Sequence, residues 1–188
     1  MIFEPTPIAG AYVVKPEPHT DERGFFTRLW CQEEFARHGI PDGMVQSSLS
    51  YSRRSGTLRG MHFAWAPSQE AKLVRCSRGR VFDVILDLRP ESGSFLEHFE
   101  RELDAPSHAA VYVPPGVAHG HQTLEDHCEL FYMMTEAYRP ELAAGVRYDD
   151  PAFGLRWPLP VTEIAERDRG YPDFDPTVHR RLSQAAWS

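Results

Sequence analysis

Short apolar runs broken by proline and glycine dominate the chain, and few of them have helical spacing. In residues 80–88, Phe82, Val84, Leu86 and Leu88 alternate with a polar side that holds Asp83, Asp87 and the following Arg89. Residues 71–76 form a similar run just upstream, and Ser77-Arg78-Gly79 between the two reads as a hairpin turn. Residues 11–14, 25–30, 44–51, 109–113 and 128–135 are further predicted strands, the fourth stopped by Pro114-Pro115-Gly116. One helix is predicted, over residues 30–38, closed by Gly39 and Pro41. At about nine residues it needs tertiary packing to persist. Many short strands without crossover helices predict an all-β fold, either a sandwich, a jelly roll or a barrel.

The 188 residues suit one domain, with a core over about 3–150 and an irregular C-terminal wrap over 151–188. Residues 179–188 are read as loose. A hydrophobic share of 41% supplies enough apolar surface to fold. Twenty basic against 27 acidic residues give a net charge of −7, which argues against broad nucleic-acid or membrane-surface binding. No apolar run reaches the length of a membrane span, and residues 1–14 do not read as a signal peptide. Cys31, Cys76 and Cys128 have neither disulfide-framework nor zinc spacing. They fit small core groups in a reducing cytoplasm.

Four places carry candidate chemistry. His62 and Lys72 lie on neighbouring predicted strands, where a proton-transferring imidazole and an oxyanion-holding ammonium can face one cavity. A surface histidine and a solvated lysine fit the same spacing. Alternation puts Arg59 and His62 on opposite faces, so a shared site requires an irregularity, which Gly60 permits. Pro114-Pro115-Gly116-Val117-Ala118-His119 is similar to the second motif of cupins, P-x-G-x-x-H, but Ala64 stands where the metal-binding half of the first motif needs a second histidine. His119 and His121 alone make a poor metal site. Tyr132, inside an apolar strand, fits either a hydrogen-bonded core residue or a general acid. Asp168, in a charged loop, fits a solvated residue and matters chemically only if it reaches a histidine and sets its tautomer. Arg23, Arg28, Arg53, Arg54, Arg59, Lys72 and Arg167 supply enough positive charge for a diphosphate.

Taken in order, the motifs resemble a known family. They are Asp21-Glu22-Arg23-Gly24-Phe25-Phe26, Gly56-Thr57-Leu58-Arg59-Gly60-Met61-His62, Lys72-Leu73-Val74-Arg75, Gly79-Arg80-Val81-Phe82-Asp83-Val84, Asp87-Leu88-Arg89, Pro115-Gly116-Val117-Ala118-His119-Gly120, Asp149-Asp150-Pro151 and Glu166-Arg167-Asp168. The chain resembles the dTDP-4-dehydrorhamnose 3,5-epimerases, metal-free cupins that act on nucleotide-linked 4-keto sugars. The resemblance implies a double-stranded β-helix, or jelly roll, with few short helices, and no metal or redox cofactor. It implies a homodimer exchanging N-terminal strands, and a nucleotide-diphosphate 4-keto-6-deoxy sugar inverted at C3, C5 or both. His62 is similar to the family's base, Asp168 to its orienting carboxylate, Tyr132 to its proton donor and Lys72 to the cation near the 4-keto oxygen. Arg23, Gln46, Ser48, Arg59, Asp83, His119, Tyr138 and Arg167 fall at substrate-binding positions. The family usually has other residues where Arg28, Ser48, Ala64, Met133 and Ala143 stand, and Phe where His121 stands. A single-centre epimerase and a non-catalytic sugar-nucleotide binder share the same motifs.

Overall fold

The computed structural model describes residues 1–40 and 43–182. Pro41 and residues 183–188 of the expected loose tail lie outside the described residues. Ile2–Pro5 (β1) and Tyr12–Lys15 (β2) open the chain, followed by a small hairpin, His19–Asp21 (β3) and Gly24–Phe26 (β4), and the helix Gln32–Ala36 (α1). The body comprises Gln46–Ser52 (β5), Thr57–Ala64 (β6), Lys72–Arg78 (β7), Arg80–Asp87 (β8), His98–Asp104 (β9), Ala110–Val113 (β10), Val117–Thr123 (β11) and Cys128–Met134 (β12). Ala143–Gly145 (β13), Glu163–Ile164 (β14), Glu166–Arg169 (α2) and Pro176–Leu182 (α3) complete it.

Two six-stranded sheets face each other as a jelly roll. One runs β1-β2-β10-β7-β12-β5 and the other β13-β6-β11-β8-β9, with β14 joining β6 in parallel. Alternation explains the layers. Val74 and Cys76 of β7, Val81 and Ile85 of β8, Val117 of β11 and Leu130 of β12 point between the sheets into one buried cluster. On β8 the opposite face also packs: Phe82, Val84, Leu86 and Leu88 lie under Phe153, Trp157 and Phe174. Leu73 of β7 and Tyr112 of β10 face outward beneath Phe35 of α1.

Several expectations are corrected. Residues 72–78 and 80–87 do not pair: β7 bonds to β10 and β12, and β8 to β9 and β11. Gly79, at φ +76°, turns the chain from one sheet to the other, so that both arms share the central core. The aromatic run 25–30 extends only to Phe26, because its strand has just the three-residue β3 to pair with. The helix is one turn, since Cys31 offers no side-chain cap and packing holds only Phe35. Asp168 lies in the short helix α2, and part of the expected loose tail is ordered. His179 is buried in α3 against Phe63, Trp65 and Phe174, with its Nε2 2.5 Å from the Leu88 carbonyl. No helix among the described residues is long and apolar enough to cross a membrane.

The end of β8 is tied down by Asp87, which is fully buried. Its carboxylate accepts from Arg89 at 2.7 and 2.8 Å and from the Ser92 and Ser94 hydroxyls at 2.6 Å. Arg89 then donates to the Ala9 carbonyl at 2.8 Å, linking the loop to the start of the first sheet. Burial alone raises the Asp87 pKa, but the bonds from Arg89, Ser92 and Ser94 outweigh it and hold the carboxyl below its usual range. Asp87→Ala should therefore cost about 3–5 kcal/mol in urea unfolding, because Arg89 loses its counter-charge. The depressed pKa makes this contribution full above the unfolded carboxylate value, near pH ~4, and lost as pH falls through the lower folded value. Wild-type stability should accordingly fall more steeply with acid than that of the variant.

Candidate active site

Strand β6 forms an edge that is covered only in part. β13 pairs with His62–Ala64 and β14 with Thr57 and Leu58, leaving a gap around Gly60. Opposite, β11 aligns His119 with His62 and His121 with Arg59, so two residues of β6 face one of β11. This bulge falls where the sequence required it and turns both Arg59 and His62 toward the same cavity. Gly60 sits there at φ +123°, and a Cβ on it would come within 2.5 Å of the Gly120 Cα.

The helix α2 closes the gap with a charge. One oxygen of Asp168 accepts from the Gly60 N–H at 3.2 Å, and the other lies 2.8 Å from His62 Nε2. Burial pushes the carboxyl pKa upward, but the hydrogen bonds from His62, the Gly60 backbone and Arg167 together hold it below its normal value. Arg167 Nη2 also lies 3.1 Å from His62 Nε2, yet a guanidinium only donates. The nearer, buried carboxylate assigns the proton to Nε2, which leaves Nδ1 as the unprotonated nitrogen.

The opposing wall comes from the first sheet. Tyr132 of β12, Lys72 of β7, and Gln46 and Ser48 of β5 line the same cavity, of about 500 Å³. Burial first, then the nearby Asp83 charge, raise the Tyr132 pKa well above that of a free phenol, so the hydroxyl keeps its proton. Lys72 pairs with Glu70 at 3.2 Å, both only slightly exposed. Arg59 is held by the Ser52 hydroxyl and the Tyr51 carbonyl, and it also lines an adjoining groove with Arg53 and Arg54. Tyr138 stands at the cavity wall, where its N–H donates to Gln46 Oε1 at 3.0 Å.

Ten of the twelve residues singled out from the sequence thus meet in one cavity: His62, Tyr132, Asp168, Lys72, Gln46, Ser48, Arg59, His119, Tyr138 and Arg167. Two do not. Asp83 sits behind the wall, 2.7 Å from His119 Nε2, where a buried carboxylate finds the partner it needs. Arg23 lies in the β3–β4 hairpin, 85% exposed and paired with Asp21 at 2.5 Å. Sequence reasoning passed over Ser50, Ser68 and Arg139 of the lining. Ser50 continues the 46, 48 alternation of β5 and was legible; the two others lie on loops and carry no periodic signal. Among the described residues no three His, Cys, Asp or Glu side chains gather as metal ligands.

A jelly roll with proton-transfer side chains on both sheets around its open end is a cupin equipped for acid–base chemistry. The family model for dTDP-4-dehydrorhamnose 3,5-epimerase matches residues 5–176. The dTDP-4-dehydrorhamnose 3,5-epimerase of Methanothermobacter thermautotrophicus is 39% identical over 172 residues, covering 90% of this chain and 92% of its own. The solved epimerase of Mycobacterium tuberculosis superposes with a TM-score of 0.89 at 31% identity, covering 97% of this chain and 92% of that one. A 3′-monoepimerase from Streptomyces bikiniensis, solved in complex with dTDP-quinovose, gives 0.84 at 30% identity, covering 96% and 91%. The chain belongs to the dTDP-4-dehydrorhamnose 3,5-epimerase family.

Because Gly60 sets the bulge, Gly60→Ala should destabilise the fold by about 2 kcal/mol or more through a strained φ and contact with β11. The loss would be read by denaturant unfolding, together with a weakened His62–Asp168 pair.

Proposed function

We propose that the chain epimerises a dTDP-linked 4-keto-6-deoxy sugar, with His62 as base and Tyr132 as acid. The observation that carries this reading is their placement: His62 stands on one sheet and Tyr132 on the facing sheet, across a single cavity. Inversion of a carbon requires a proton to leave by one face and return by the other. The 4-keto group acidifies the hydrogens at C3 and C5. His62 Nδ1 takes one of them, and the Asp168 carboxylate stabilises the imidazolium that forms. The electron pair moves onto the ketone oxygen as an enolate, which the Lys72 ammonium holds. The Tyr132 hydroxyl then delivers its proton to the carbon from the opposite side, and solvent restores both groups. Arg59, with Arg53 and Arg54 of the adjoining groove, suits the diphosphate.

The substrate class rests on the family match and on the dTDP-sugar bound to the monoepimerase from Streptomyces bikiniensis. That neighbour also supports a second reading, inversion at one centre only. In deuterated water, label at both C3 and C5 assigns a double epimerase, label at one centre a single-site enzyme, and no label a binding protein. His62→Asn should lose exchange by about 10²-fold or more while dTDP binding persists. Asp168→Asn should slow turnover by about a hundredfold through the wrong imidazole tautomer. Wild-type rates in either variant would remove that residue from the mechanism.

A homodimer accounts for Arg23. Its hairpin presents Phe25 and Phe26, 54% and 78% exposed, and keeps Arg23 away from the chain's own cavity. Seated on a second copy, the hairpin would bury those rings and bring the guanidinium to the partner's site. Phe25→Ser with Phe26→Ser should then give monomers in sedimentation and weaken dTDP binding, as should Arg23→Ala without dissociation. Three free cysteines fit a cytoplasmic enzyme.

A further inference from the structure

His121 has no part in the chemistry above, yet it forms part of the cavity wall and is only 1% exposed. Its Nδ1 lies 3.4 Å from the Tyr132 hydroxyl, and its Nε2 is buried with no hydrogen-bond partner. A buried polar ring with one nitrogen left unpaired is costly, so its place beside Tyr132 calls for a role. The neighbouring histidine is committed elsewhere: His119 is held by Asp83, its ring stacked 6.2 Å from that of His121 and edge-on to Tyr132.

We infer that His121 is a positioning residue for the acid, its Nδ1–H donating to the Tyr132 oxygen. The inference rests on the reading of Tyr132 as the acid. Burial, and then the neighbouring His119, Arg59 and His62, push the His121 pKa well below its usual value, so the ring is neutral and carries a single N–H. Two tautomers compete for that N–H. A phenol that gives its own proton to carbon has none to offer the imidazole, so its oxygen must be the acceptor and Nδ1 the protonated nitrogen. Once the proton has left, the same N–H faces a phenolate. A donor is needed there, because burial and the Asp83 charge both disfavour the phenolate. The Nδ1-protonated tautomer leaves Nε2 unprotonated. Phe, which the family pattern places here, supplies no such bond.

The test separates abstraction from inversion. Without an effective acid, His62 removes a proton and returns it to the same face, so solvent deuterium enters unconverted substrate. Wild type, Tyr132→Phe, His121→Phe and His121→Asn would each be incubated with dTDP-4-keto-6-deoxyglucose in deuterated water, and dTDP affinity measured alongside. His121→Phe should raise the ratio of label in recovered substrate to inverted product by about tenfold or more. Its Kd for dTDP should stay within about twofold. His121→Asn, whose amide nitrogen replaces Nδ1, should recover most of the wild-type ratio. An unchanged ratio in a folded, dTDP-binding His121→Phe overturns the inference, provided Tyr132→Phe raises it. An unchanged ratio in Tyr132→Phe instead overturns the acid assignment. If His121→Phe does not fold, ¹⁵N shifts of the His121 ring in sugar-bound wild type decide: Nδ1 protonation supports the inference, and Nε2 protonation overturns it.

Discussion

His62 and the strand edge that carries it depend on one carboxylate shared between backbone and ring. The bulge at Gly60 leaves an N–H at the edge of β6 that neither β13 nor β14 pairs with, and Asp168 supplies the acceptor. The same side chain, by its second oxygen, decides which nitrogen of His62 carries the proton. A structural need at a sheet edge and a chemical need in the site are thus met together. Arg59 is aimed by the same irregularity, because a regular strand would send it and His62 to opposite faces.

The second organising feature is the graded filling of the space between the sheets. On several strands the inward positions change from apolar to polar along the strand. β7 runs from Cys76 and Val74 to Lys72, β12 from Leu130 to Tyr132, and β11 from Val117 to His119 and His121. The apolar ends pack as core, and the polar ends line the cavity. This is why Tyr132 is both: its ring packs on the core cluster while its hydroxyl stands in the cavity wall.

Much of this was legible in the sequence, because strand alternation is a local property. The all-β class, the two faces of residues 80–87 and the need for an irregularity at Gly60 all follow from spacing and are present in the structure. The roles proposed for Lys72, Tyr132 and Asp168 were not legible from spacing, which left each with an ordinary alternative; they came from resemblance to a family. Pairing of strands was misread at residues 77–79, because a tight turn looks the same whether it closes a hairpin or carries the chain between sheets. Asp168 looked like a solvated loop residue because nothing local shows that α2 docks on β6. Arg23 was placed in the site, but within one chain its hairpin leads away from it.

The carboxylate that finishes the site lies 108 residues beyond the backbone amide it caps. During synthesis, both sheets and nearly all of the cavity wall precede α2 in the chain. A chain cut before residue 165 would keep the residues of both sheets but lose the carboxylate beside His62.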